Sequence, residues 1–221
     1  MPILPTTLEA KTQTLDAEEF ANGVTHGIGF LISLVAAPWL ISVAAQDGDP
    51  WKITGCAIYA FSLVAVFAAS TLSHLVQEPL RRRWFRMLDQ ACIYLLIAGT
   101  DTPFCLVYLR EGWWWLLFAA LWSLALYGFV SKIVFTHRIE QVSAVLYVVL
   151  GWLPIVAAYP LAYRIPLGAW PWLCMGGLLY CFGLIFWFLS DHLRYAHALW
   201  HIMVIFAATC HYLGILYYVA L

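Results

Sequence analysis

Seven apolar runs, each close to the length needed to cross a bilayer, follow one another along this chain and constrain its fold more than any other feature. A membrane helix needs about 20 mostly apolar residues to cross roughly 30 Å of hydrocarbon. The runs are Thr25 to Ala45, Trp51 to Leu75, Leu88 to Tyr108, Trp113 to Ile133, Val142 to Tyr159, Ala169 to Leu189 and Ala196 to Ala220. The gaps between them carry turn and charge signals: Gln46 to Pro50, the basic run Arg81-Arg82-Arg83 with Arg86, Arg110-Glu111-Gly112, His137-Arg138, Pro160 to Pro166, and Ser190 to Tyr195. None is long enough to hold a soluble domain. The expectation is an all-α, polytopic bundle of seven transmembrane helices: a short cytoplasmic segment over residues 1–24, then one membrane domain over 25–221.

Composition agrees. The chain is 64% hydrophobic and 10% charged, where soluble domains carry about a quarter charged residues. With a formal net charge of −1 there is no electrostatic footprint for nucleic acid. The six cysteines, Cys56, Cys92, Cys105, Cys174, Cys181 and Cys210, all lie in apolar runs without CxxC pairs and read as small buried hydrophobes. Residues Met1 to Phe20 are polar and acidic, unlike a cleaved signal peptide, so the first span is expected to direct insertion. No strong internal repeat is visible, and an odd span count argues against a pair of inverted halves.

Orientation follows from Lys and Arg, which are retained on the cytoplasmic side. Eight of the eleven (Lys11, Arg81, Arg82, Arg83, Arg86, Lys132, Arg138 and Arg194) fall on the side of the N-terminus, and three (Lys52, Arg110 and Arg164) on the other. The N-terminus is therefore expected in the cytoplasm and the C-terminus outside. Trp113-Trp114-Trp115 and Trp170-Pro171-Trp172 near span ends suit interfacial anchoring.

Ionisable residues inside spans are costly and mark function. His26, His74, Asp89, His197 and His201 all fall at the expected cytoplasmic ends of their spans. His197 and His201 are four positions apart and share a helix face. With His74 as a third imidazole they make the set of three ligands and one open position typical of catalytic zinc. Packing histidines joined by hydrogen bonds are the other reading of that spacing. Asp89 could act as general base to a metal-activated water or orient a histidine; alternatively it starts its helix or pairs with Arg86. Ser70 lies one turn before His74, and its hydroxyl could equally bond its own helix carbonyl. Glu19, Asn22 and His26 form an i, i+3, i+7 series that lines the same mouth if the first helix starts before the membrane. His211, ten positions beyond His201 and roughly 15 Å deeper, cannot share that ion and reads as a packing or polar-contact residue. Asp101 is likewise remote from Asp89, while His137 and His192 read as loop residues.

These residues also carry a resemblance. The series Glu19-Phe-Ala-Asn22-Gly-Val-Thr-His26-Gly-Ile-Gly29, then Ser70-Thr-Leu-Ser-His74, Leu88-Asp89-Gln-Ala-Cys-Ile-Tyr94, Gly99-Thr-Asp-Thr-Pro103 and His197-Ala-Leu-Trp-His201 resembles the bacterial hemolysin III family, which belongs with the progestin and adipoQ receptors. The resemblance runs in order from first span to last. It implies seven helices with a cytoplasmic N-terminus in the bacterial inner membrane, and zinc near the inner leaflet on His74, His197 and His201. It also implies a water-binding role for Asp89 and a companion role for Ser70. Since the wider superfamily includes alkaline ceramidases, it implies a metal-dependent hydrolase of lipid amide or ester bonds, with a membrane lipid as substrate or ligand and a part in membrane homeostasis. A non-enzymatic homeostasis sensor or receptor-like protein with structural zinc is the alternative. A pore-forming cytolysin would need a polar stripe through several spans, which these lack. Two positions depart from the family pattern: Ser73 stands where Tyr is common, and Asp101 where an aromatic is usual.

Overall fold

A computed structural model describes residues 16–110, 114–134, 140–157 and 163–221. Lys11, the Glu111-Gly112 turn, His137-Arg138 and the first part of the Pro160 to Pro166 connection lie outside the described residues. Among the described residues the secondary structure is all helical: α1 (Ala17–Ala44), α2 (Pro50–Leu75), α3 (Pro79–Tyr108), α4 (Trp114–Val134), α5 (Glu140–Ala157), α6 (Ala169–Phe188) and α7 (Ala196–Ile215), the last running into a π-helical turn at Leu216–Ala220. Six of these are long and apolar enough to cross a membrane, while α5 carries a shorter apolar stretch, Val145–Pro154.

A helix stands at each expected span, six of the seven long and apolar enough to cross, with two differences that matter for the site. First, α1 begins at Ala17, so Glu19 and Asn22 sit on the helix rather than in a preceding segment. Second, α3 begins at Pro79, so the basic run Arg81 to Arg86 is helical and not a loop. The reason is local. Glu78 caps the helix, its carboxylate accepting from the N–H groups of Leu80 (3.1 Å) and Arg81 (2.9 Å), and Pro79 occupies the first turn, where its missing N–H costs nothing. Asp49 and Pro50 repeat the device at α2, with Asp49 accepting from Trp51 N–H at 2.9 Å.

Helices α2 and α3 form the most buried part of the bundle. They approach closely because Gly55 lies against Pro103: a Cβ at Gly55 would come within 2.8 Å of the Pro103 Cα, a backbone atom that cannot swing away. Gly29 does the same for α1 against α2, where a Cβ would meet the Phe67 ring at 2.8 Å. Helix α7 packs on α6 and also against α1, which brings the first and last helices to α2 and α3. The outward faces of α1 and α4 are apolar, with Leu31, Val35, Leu116 and Tyr127 exposed, as lipid-facing surfaces are.

The basic residues of α3 give a direct check of orientation. In a background without native cysteines, Leu221→Cys is expected to react with an impermeant maleimide applied outside intact cells, and Arg83→Cys only after permeabilisation. The reverse pattern would invert the bundle.

Candidate metal centre

The four helices that converge at one end of the bundle each deliver polar side chains to a single point. His74 comes from the last turn of α2, and His197 and His201 from the first two turns of α7. Each offers a ring nitrogen, and the three nitrogens lie within 4.8 Å of one another. Ring centroids are 5.2 Å apart for His74 and His197, 5.0 Å for His74 and His201, and 4.6 Å for His197 and His201. His74 and His201 are buried and His197 is partly so.

Helix α1 holds this cluster through the series Glu19, Asn22 and His26. The Glu19 carboxylate meets Nδ1 of His74 at 2.7 Å, while its other oxygen takes Arg82 (2.7 Å) and Arg86 (3.1 Å) from α3. The carboxylate fixes the His74 proton on Nδ1 and leaves a lone pair on Nε2, which is buried and has no hydrogen-bond partner. His201 is held alike: its Nδ1 is 3.1 Å from the Asn22 backbone carbonyl and 3.3 Å from the Thr25 hydroxyl. The His26 ring stacks on that of His201 at 3.6 Å between centroids, and its Nδ1 contacts the Ser70 hydroxyl at 2.6 Å. Ser70 is thus engaged by α1 through its side chain.

Asp89 lies in the interior of α3, far from its capped start at Glu78, so it does not start a helix. Its carboxylate accepts from the Ser73 hydroxyl at 3.2 Å, with Ser70 close by. Asp89, Ser70, His26, His197 and His201 together line one cavity of about 190 Å³.

The start of α7 is set by a backbone device that the sequence does not display. Tyr195 adopts a left-handed conformation (φ 62°), which costs a non-glycine residue on the order of 1 to 3 kcal/mol. Its N–H donates to Glu18 of α1 at 2.7 Å, so the turn that aims His197 and His201 is tied to the helix that orients them. The roles of Glu18, Arg82 and Thr25 escaped the sequence reading. The capping signal at Glu78-Pro79 would have put Arg82, Arg86 and Asp89 on one helix at i, i+4 and i+7.

Residues 16–212 match the haemolysin-III related family. The chain is 39% identical to Hemolysin-3 of Bacillus cereus over 202 residues, covering 91% of this chain and 92% of that one. It is 37% identical to the Hemolysin-3 homolog of Bacillus subtilis strain 168, covering 91% and 94%. As the wider resemblance implies, similarity reaches a human protein, monocyte to macrophage differentiation factor, at 28% identity over 90% of this chain and 83% of the relative. A family match over most of the chain, relatives spanned almost end to end, and six helices apolar enough to cross a bilayer lead to one conclusion: this multi-pass membrane protein belongs to the haemolysin-III related family.

Proposed function

We propose that this protein is a zinc-dependent hydrolase that crosses the bacterial inner membrane seven times and cleaves the acyl amide or ester bond of a lipid drawn from the cytoplasmic leaflet. The observation that carries the reading is the Nε2 atom of His74, buried without a partner beside two further imidazoles while Glu19 fixes Nδ1. An unsatisfied buried polar atom costs about 1–3 kcal/mol. A cation shared by His74, His197 and His201 relieves that cost, and three neutral nitrogen donors suit zinc. Bound there, zinc supplies Lewis-acid polarisation of a carbonyl and acidifies water.

The chain's own groups supply the rest. Asp89, oriented by the Ser73 hydroxyl, takes a proton from the attacking water at its carboxylate and returns it to the departing nitrogen or oxygen. Water thereby adds to the acyl carbon, the C–N or C–O bond breaks, and a fatty acid leaves with an amine or alcohol. Ser70, joined to His26 at 2.6 Å, lines the cavity beside the histidines and holds the His26 ring in place. The mostly apolar cavity accepts the acyl chain and keeps bulk water out.

The test is incubation of purified protein with a panel of ceramides and phospholipids, followed by mass spectrometry of released fatty acid. Release from one lipid class supports the reading; bound zinc with no release from any lipid would instead favour a sensor with structural metal. A second expectation concerns Glu19. Glu19→Gln keeps a hydrogen bond to His74 but loses the negative charge and both arginine pairs. Zinc affinity, read by competition with a chelator, is expected to fall about 10- to 100-fold. Unchanged affinity would remove Glu19 from the centre.

A further inference from the structure

The cavity lined by His197 and His201 at one end carries a second pair of ionisable side chains further along, Asp101 on α3 and His211 on α7. His211 lies ten residues past His201 and Asp101 twelve past Asp89, placing both roughly 15 to 18 Å along their helices from the cluster. Neither ring nitrogen of His211 has a hydrogen-bond partner although both are buried; the Leu173 carbonyl lies beside the ring without completing a bond. Among the described residues no hydrogen bond or ion pair engages the Asp101 carboxyl, and the two side chains are not paired with each other. Between the two ends the lining is largely apolar, including Leu96, Ile97, Trp152 and Val204.

Two unpartnered polar groups facing one apolar space call for an occupant that is hydrocarbon along most of its length and polar at their depth. A hydroxyl fits both, since it donates to a carboxyl oxygen and accepts from a ring N–H, and it carries no charge into the bilayer interior. We propose that Asp101 and His211 form a second polar subsite that recognises a hydroxyl borne part-way along the acyl chain, so that lipids with hydroxylated acyl chains are the preferred class. The inference rests on the lipid-hydrolase reading for the end of the cavity at the histidines, but it is read by binding alone.

The test uses the full-length protein in nanodiscs and displacement of a fluorescent fatty acid by octadecanoic acid or by its singly hydroxylated isomers, with the hydroxyl moved along the chain. A mid-chain isomer is expected to bind about tenfold more tightly than the plain acid, the gain of one to two well-formed hydrogen bonds. Isomers hydroxylated next to the carboxyl or at the far end should gain nothing. Asp101→Leu and His211→Leu are each expected to abolish the preference while binding the plain acid as well as the parent. Equal binding across the isomer series in the parent, meaning that the deep end holds water only, would overturn the proposal without any variant having to fold. Preference without hydrolysis of any lipid removes the enzymatic reading and leaves this subsite standing. Hydrolysis without preference does the reverse.

Discussion

Asp89→Asn is expected to keep its zinc and to lose lipid turnover by about a hundred- to ten-thousand-fold, the usual contribution of a general base. Asparagine matches aspartate in size and can still accept from the Ser73 hydroxyl, which lies 3.2 Å from the carboxylate. What it lacks is a site for the proton. The competing account, that Asp89 merely begins its helix, fails on position: α3 starts at Pro79 under the Glu78 cap. Paired measurement of zinc content and fatty-acid release separates the outcomes. Parent-like turnover in zinc-loaded Asp89→Asn contradicts the base assignment, and loss of zinc would instead make Asp89 part of the metal's support.

His201→Ala is expected to reduce bound zinc from about one per chain to near zero, because it removes one of the three donors that lie within 4.8 Å of one another. The His201 ring is 1% exposed and stacked on His26, so the variant also opens space in the bundle. His197→Ala, at a less buried position, therefore serves as its partner and should lose the metal equally. His211→Ala, roughly 15 Å further along α7, should retain it. Elemental analysis of the three purified variants decides: metal lost from His211→Ala but kept by His201→Ala would place the ion elsewhere.

Much of this arrangement was legible in the sequence because the bilayer makes polar residues rare. Against 64% hydrophobic residues, five histidines and acids at one depth stand out, and helical spacing alone puts His197 over His201. The juxtaposition of His74 with that pair, 5.0 Å from His201, follows from the same reasoning about depth. Local hydropathy was less informative where helices extend past the apolar runs. The starts of α1 and α3 are polar, so the apolar runs leave Arg82 in a loop and Glu19 on a helix only if that helix starts before the membrane, although both are helical and ion-paired at 2.7 Å. Nor does spacing show which face of α1 meets α7. That Asn22 would serve through its backbone carbonyl, and Tyr195 through a left-handed turn tied to Glu18, depends on tertiary contacts between the first and last helices. The position of Asp101 and His211 at the deep end of the same cavity was hidden for a like reason: each looks isolated along its own helix.

The most direct test is to strip, and then restore, the metal of one purified sample while following fatty-acid release from a single lipid. Release is expected to fall to background as zinc is removed by a chelator and to return in proportion to zinc added back, reaching its maximum near one ion per chain; release that continues undiminished in the metal-free protein would contradict the proposal.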